Sequence, residues 1–315
     1  MKKSLFAALI ILNVSLAAFA QTAPPLETIL DEAQKQTEFY RETFRDLLAE
    51  ETKVFTEYDK NGNVEKTTSV KSNFLVYQSG KNVSATAELR NVFEVNGKSV
   101  PNGQQRAERF LAELEKAETL EKELKKIQSE GSRYDKTWEI YGLTLNQAVT
   151  LSPKMRPYFD YKLLGTENLQ GSEVYVVAYQ QTKKSPYTIF NEKDDPTNRE
   201  SISFNLDVPG ALKKNDKFLR GKFWIDARTF QLWREEMELT VQTPEPVVLL
   251  STVFEYQPSE YEILIPRKIT VVSNELKREK GGERYLAFKD STVDLNYSRF
   301  RKANVEVRIL DDENE

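Results

Sequence analysis

The 315-residue chain contains no histidine and no cysteine. Those two absences remove the Ser-His-Asp triad, the thiol nucleophile and the usual histidine- or thiolate-ligated zinc site. They also remove disulfides and any lipid attachment through cysteine. A chain this long builds a core without disulfide staples, so their absence is compatible with export. Chemistry, if any, would have to run on carboxylates, lysine, tyrosine or oxygen-bound metals. Glycine and proline number only 12 each, and no stretch rich in them forms a linker. One continuous domain is therefore favoured over two. With 45 basic and 49 acidic side chains, the formal charge is −4. The signs are interspersed, so no basic footprint for nucleic acid emerges.

One apolar run stands out, at the N-terminus. MKKSLFAALIILNVSLAAFA has two lysines, an apolar stretch from Leu5 to Leu12 and Ala18-Phe19-Ala20 before Gln21. That order predicts a secretory signal peptide over residues 1–20. The run is short for a membrane anchor and Asn13 interrupts it. No later run is long enough to span a bilayer, so the expected mature protein is exported and without a transmembrane segment. Its expected place is the periplasm, with the extracellular space as the alternative.

Residues 26–48 place Leu26, Ile29, Leu30, Ala33, Tyr40, Phe44, Leu47 and Leu48 at helical spacing, after Pro24-Pro25. The period then changes to two. TKVFTEYDKNGNVEKTTSV reads as strand, turn at Asp59-Lys60-Asn61-Gly62, and strand. DKNG lacks the remaining oxygen positions of a calcium loop. Two more strands precede a second apolar helical stripe, Phe110, Leu111, Leu114, Ala117, Leu120, Leu124 and Ile127, which predicts a helical segment over 104–130. Strands dominate from residue 158 onward, except for a polar loop at 181–200. Short connections imply antiparallel pairing. The acidic tail 311–315 is solvated.

GKFWIDARTFQLWREEMEL, residues 221–239, sets two tryptophans beside acidic side chains. Alternation places Phe223 and Ile225 on one face and Trp224 on the other. It pairs Phe230 with Leu232, and Trp233 with Met237 and Leu239. Asp226 is expected to start the turn by accepting backbone N–H groups. No carboxylate pair is placed at glycosidase separation by the sequence, and no catalytic residue, metal ligand or cofactor is assigned.

The stretch Phe223-Trp224-Ile225-Asp226, turn, Phe230 to Glu236 resembles a hairpin of the LolA/LolB-like superfamily, the lipoprotein-carrier and lipoprotein-sorting proteins of the bacterial envelope. Leu163-Leu164-Gly165, Leu169-Gln170-Gly171, Val174 to Val177 and Ile265-Pro266-Arg267-Lys268-Ile269 extend the resemblance within 158–272. The resemblance implies a single α+β, mainly β domain over residues 21–310: a strongly curved, largely antiparallel incomplete barrel with helices packed on its concave side. It further implies a non-enzymatic carrier whose cavity takes an apolar ligand or lipoprotein acyl chains, with a transient envelope protein partner. A buried acyl chain of about 12 methylenes would contribute on the order of 10 kcal/mol before ordering costs. The cavity-lining candidates are Phe223, Trp224, Phe230 and Trp233 from the hairpin, and Tyr40, Phe44, Phe110 and Leu114 from the helices. Two alternatives stay open: an envelope structural or interaction protein on the same scaffold, and a carboxylate-based hydrolase.

Overall fold

The computed structural model describes residues 23–78, 86–101, 105–106, 109–110, 112–113, 116–131, 143–145, 147–190, 202–204 and 208–302. The expected signal peptide, Leu114 and the acidic tail lie outside the described residues. Helix α1 spans Leu26–Phe44, and Pro25 precedes it, where a missing N–H costs nothing. Strands β1 (Leu47–Tyr58), β2 (Val64–Gln78), β3 (Thr86–Val95) and β4 (Lys98–Ser99) form an antiparallel meander. At the β1–β2 turn, Asp59 Oδ1 accepts the N–H groups of Asn61 and Asn63 at 2.8 and 2.9 Å. Gly62 supplies the φ of 82° that the turn requires.

Helix α2, Leu120–Gly131, follows. The single helix expected over 104–130 is interrupted, because residues 116–119 are not helical. Thr119 Oγ1 caps the new start by accepting the Lys122 N–H at 3.3 Å. Strands β5 (Phe159–Leu169) and β6 (Ser172–Gln181) form a hairpin. Within the expected loop at 181–200, β7 (Thr188–Phe190) pairs in parallel with β8 (Ile202–Phe204), and the Phe190 and Phe204 rings stack at 5.7 Å. Strands β9 (Lys217–Asp226), β10 (Leu232–Val241), β11 (Val247–Gln257), β12 (Ile265–Arg278) and β13 (Tyr285–Lys302) then run antiparallel in sequence.

These strands make one open, curved eleven-stranded sheet in the order β4-β3-β2-β1-β13-β12-β11-β10-β9-β6-β5. Strands β1 and β13, from opposite ends of the chain, pair side by side. Alternation gives every strand an inner and an outer face. Inner positions include Leu47, Ala49, Glu51, Lys53 and Phe55 on β1, Phe74 and Val76 on β2, Leu295 and Tyr297 on β13, and Phe223 and Ile225 on β9. Most of these apolar groups join one continuous core with α1. Stacking of Tyr40 on Phe44, and contacts of Phe44 with Phe74, seat α1 against this inner face.

Helix α2 packs on the other side. Leu124 and Ile127 meet Leu89, with Leu75, Tyr77, Ala87 and Phe110 around them. Leu75 and Leu89 are cross-strand partners, one residue out of phase with the inner pair Phe74 and Arg90. Helix α1 therefore sits on the inner face, and α2 on the outer face of β2 and β3. A lone hydrophobic stripe reveals that a helix packs, and not which side of a sheet receives it.

Candidate binding interior

Residues 143–145 and 147–152 form a strap across the inner face, running antiparallel to α1. Tyr40 donates to the Thr144 carbonyl at 2.9 Å, and Arg41 Nε to that of Leu145 at 3.1 Å. Further on, Arg156 pairs with Asp31 near the start of α1 at 2.6 Å. A short 3-10 turn at Val149–Leu151 is buried, and Ala148 ahead of it takes a φ of 45°. Among the described residues the strap has no ladder partner, so outside its own 3-10 turn its backbone groups bond to side chains. Two buried polar nodes on opposite limbs of the sheet supply most of those bonds.

The first node is ionic. Arg90 on β3 bonds Glu51 on β1 through Nε and Nη2, both at 2.8 Å, and Glu88 at 2.9 Å. All three side chains are 0–2% exposed. Arg90 also lies 5.1 Å from the Phe74 ring centre. Glu88 accepts the Thr144 N–H at 2.8 Å and its hydroxyl at 2.5 Å, tying one end of the strap. Burial pushes the Glu51 carboxyl up, but the charge and hydrogen bonds of Arg90 outweigh it and hold it below its ordinary value.

The second node has no cation. Glu235 on β10 is 1% exposed, and among the described residues no basic side chain pairs with it. Ala148 donates its N–H to Glu235 Oε2 at 3.0 Å, and Tyr161 on β5 donates to the Thr150 carbonyl at 2.6 Å. Tyr179 on β6 lies 3.2 Å from Glu235 Oε1 and 3.1 Å from the Glu236 carbonyl. A phenol carries one proton, so it cannot donate fully to both oxygens. Burial pushes this carboxyl to about 8, against the opposing bonds from Ala148 and Tyr179. Gly221 makes room for the arrangement, since a Cβ there would stand 1.9 Å from the Glu236 oxygen and 2.6 Å from the Tyr179 hydroxyl.

Seven of the eight lining candidates divide among three places. Tyr40, Phe44 and Phe223 belong to the inner core, and Phe230 packs at its margin, stacked 6.3 Å from Tyr175. Trp224 and Trp233 form a separate outer cluster with Val174 and Val176. Phe110 lies with α2 on the outer face; Leu114 is outside the described residues.

The hairpin departs from strict alternation because Trp233 is bulged: Leu232 pairs with Ile225, and Arg234 with Trp224. The bulge returns Met237 and Leu239 to the inner face beside Leu232, rather than beside Trp233. Asp226 accepts the N–H groups of Arg228 and Thr229 at 3.0 and 2.8 Å, and the Trp233 indole N–H at 3.0 Å. Arg234 covers Trp224 at 5.3 Å. The outer tryptophans thus complete the hairpin.

Sequence reasoning did not place residues 143–152 across the inner face, and it missed the inward carboxylates. Glu51 lies at an inward position in the alternation Leu47, Ala49, Glu51, Lys53, Phe55, a visible signal that polar groups were being buried. Glu235 gives the same signal, in alternation with the buried Met237 and Leu239.

No family model matches the chain, and no curated protein matches it. Among solved structures, it is similar to a DUF1329 family protein from Desulfovibrio piger, at 13% identity over 88% of this chain and 93% of that one, with a TM-score of 0.39. It is similar to a putative outer membrane lipoprotein-sorting protein domain from Vibrio parahaemolyticus, at 11% identity over 88% and 92%, with a TM-score of 0.35. A LolA superfamily protein from Nitrosomonas europaea shows 11% identity over 92% of this chain and 99% of that one, with a TM-score of 0.32.

Proposed function

We propose that the protein is an exported, non-enzymatic binding protein that holds an apolar ligand, such as lipid or lipoprotein acyl chains, against the inner face of its sheet. The observation that carries the reading is the cover of that face. A broad apolar surface is covered by α1, the irregular strap and the β7–β8 segment with residues 208–212, and the strap is held by discrete hydrogen bonds to Glu88, Glu235, Tyr40, Arg41 and Tyr161. Such a cover separates from the sheet without breaking any strand pairing. The surface beneath it would then gain free energy by meeting hydrocarbon instead of water, at about 25 cal/mol per Å².

Titration with a fluorescent long-chain fatty acid tests the reading. Saturable emission enhancement, reversed by unlabelled phospholipid, is the expected result. A folded protein that shows no saturable uptake contradicts it. The aromatic packing of Tyr40, Phe44, Phe74 and Tyr297 on the inner face would then favour the second reading, an envelope interaction protein with a filled interior.

A further inference from the structure

We infer that the free edge of the sheet at β5 docks a second copy of this chain, so that two sheets join edge to edge, β5 against β5, about a two-fold axis between Leu164 and Gly165. Joining at this rim is independent of what the inner face binds.

An open sheet has two edges, and the unpaired backbone groups along an edge are a template for another strand. One edge here is blunted by shortness, since β4 has two residues, Lys98–Ser99. The other, β5, has eleven, Phe159–Leu169. Among the described elements it runs alongside β6 alone. Consecutive residues from Leu164 to Asn168 are exposed, and Leu164 is 49% exposed. A Cβ at Gly165 would meet nothing within 4 Å. The Thr182 N–H reaches the Tyr158 carbonyl at 2.9 Å. That bond sets the phase of the ladder. Asp160 and Lys162 turn their N–H and C=O groups toward β6, while Phe159, Tyr161 and Leu163 turn theirs outward.

A bulge between Leu163 and Gly165 makes the strand complementary to itself. It shifts the side-chain phase by one, so the inner positions are Tyr161 and Leu163 before it and Thr166 and Asn168 after it. The outer positions are Asp160 and Lys162, then Gly165 and Glu167; Glu167 pairs with Val174 of the outer tryptophan cluster. With the axis between Leu164 and Gly165, Leu163 of one copy faces Thr166 of the other, and Tyr161 faces Asn168. Inner face thus continues into inner face. On the outer face, Lys162 stands opposite Glu167 on each side of the axis. Opposite charges directly across an antiparallel pair are favourable, and like charges are not. Asp160 comes opposite Leu169, whereas sliding the partner by one ladder repeat would set Asp160 against Glu167. Glu167 accepts the Trp224 indole N–H through Oε2 at 3.0 Å, which positions its carboxylate and leaves Oε1 for the lysine. Leu164, exposed in one copy, is covered beside the axis by its mate. A patch that complements itself about a two-fold closes with two copies.

Sedimentation equilibrium of the purified protein at about 1 to 200 µM reads the association, which mass action makes concentration-dependent. The wild type should pass from monomer to dimer over this range. Lys162→Glu sets like charges opposite each other on both sides of the axis and should weaken the dimer by at least about tenfold. Lys162→Glu combined with Glu167→Lys exchanges the two charges and should return the association to within about threefold of the wild type. Because the chain has no cysteine, Leu164→Cys gives a single thiol beside the axis. A short bis-maleimide should cross-link two copies of that variant, and should not cross-link Phe288→Cys, which is also exposed but lies on β13. A wild type that stays monomeric throughout overturns the inference. So does a dimer that Lys162→Glu leaves intact, or one that the charge exchange fails to restore. Equal cross-linking through Phe288→Cys and Leu164→Cys overturns it as well. If Lys162→Glu does not fold, the two cysteine variants still decide. A monomer that takes up fatty acid would leave the binding reading standing while edge docking falls.

Discussion

Arg90→Met lowers the unfolding free energy by about 3–5 kcal/mol, the range for removing one partner from a buried ion pair. The methionine fills much of the space of the arginine stem, so the loss is electrostatic. Glu51 and Glu88, both fully buried, would keep their carboxyls without the guanidinium that bonds them at 2.8–2.9 Å. Against a typical total of about 5–15 kcal/mol, such a change removes a large share of the stability. Adding Glu51→Met and Glu88→Gln to Arg90→Met should recover most of the loss. The glutamine retains an acceptor for the Thr144 N–H, and the two methionines replace charge with packing. Urea unfolding of the three proteins measures it; equal midpoints for wild type and Arg90→Met would show that the triad carries no stability.

The second large effect is in pH dependence. Glu235 has a folded value of about 8 against 4.5 when solvated. Below pH 4.5 both states hold the proton, and the node contributes fully. Between 4.5 and 8 only the folded state holds it, so stability declines as pH rises, by about 1.4 kcal/mol per unit and at most about 5 kcal/mol in all. Above 8 the decline stops. Glu51 has the opposite sign. Its folded value lies below the ordinary one, so its contribution is present above the ordinary carboxylate range and is lost as pH falls through the folded value. Wild-type stability should therefore pass through a maximum on the acid side of neutrality. Glu235→Gln should flatten the alkaline limb and leave the acid limb in place. Urea midpoints from pH 4 to pH 9 measure both limbs, and an unchanged alkaline limb in the variant would remove Glu235 from the account.

Local pattern and topology were unequally legible. The period-two alternation from Leu47 onward, the Asp59-to-Gly62 turn and the Asp226 turn all foretell what the backbone does, because each is decided within a few residues. Antiparallel pairing followed from connection length. The side chosen by α2 did not, since a stripe of Leu124 and Ile127 fits either face of a sheet. One bulged residue, Trp233, shifted the phase of half the hairpin, and no residue type announces a bulge of this kind.

The interior was the least legible part. Phe223, Tyr40 and Phe44, named as lining candidates, are buried in the inner core. The groups that fix the strap are glutamates, an arginine and tyrosines, which composition alone assigns to solvent. Their role depends on pairs 56 or 87 residues apart in the chain, Glu88 with Thr144 and Ala148 with Glu235. Only tertiary structure brings those together.

The central claim is that the inner face is a binding surface under a removable cover. Organic extraction of the natively purified protein, followed by mass spectrometry of the extract, tests it most directly. The account predicts lipid or another long-chain apolar molecule in a fixed ratio to protein, retained through gel filtration. Protein that is folded, free of extractable apolar ligand, and unable to acquire one from added phospholipid vesicles would contradict it.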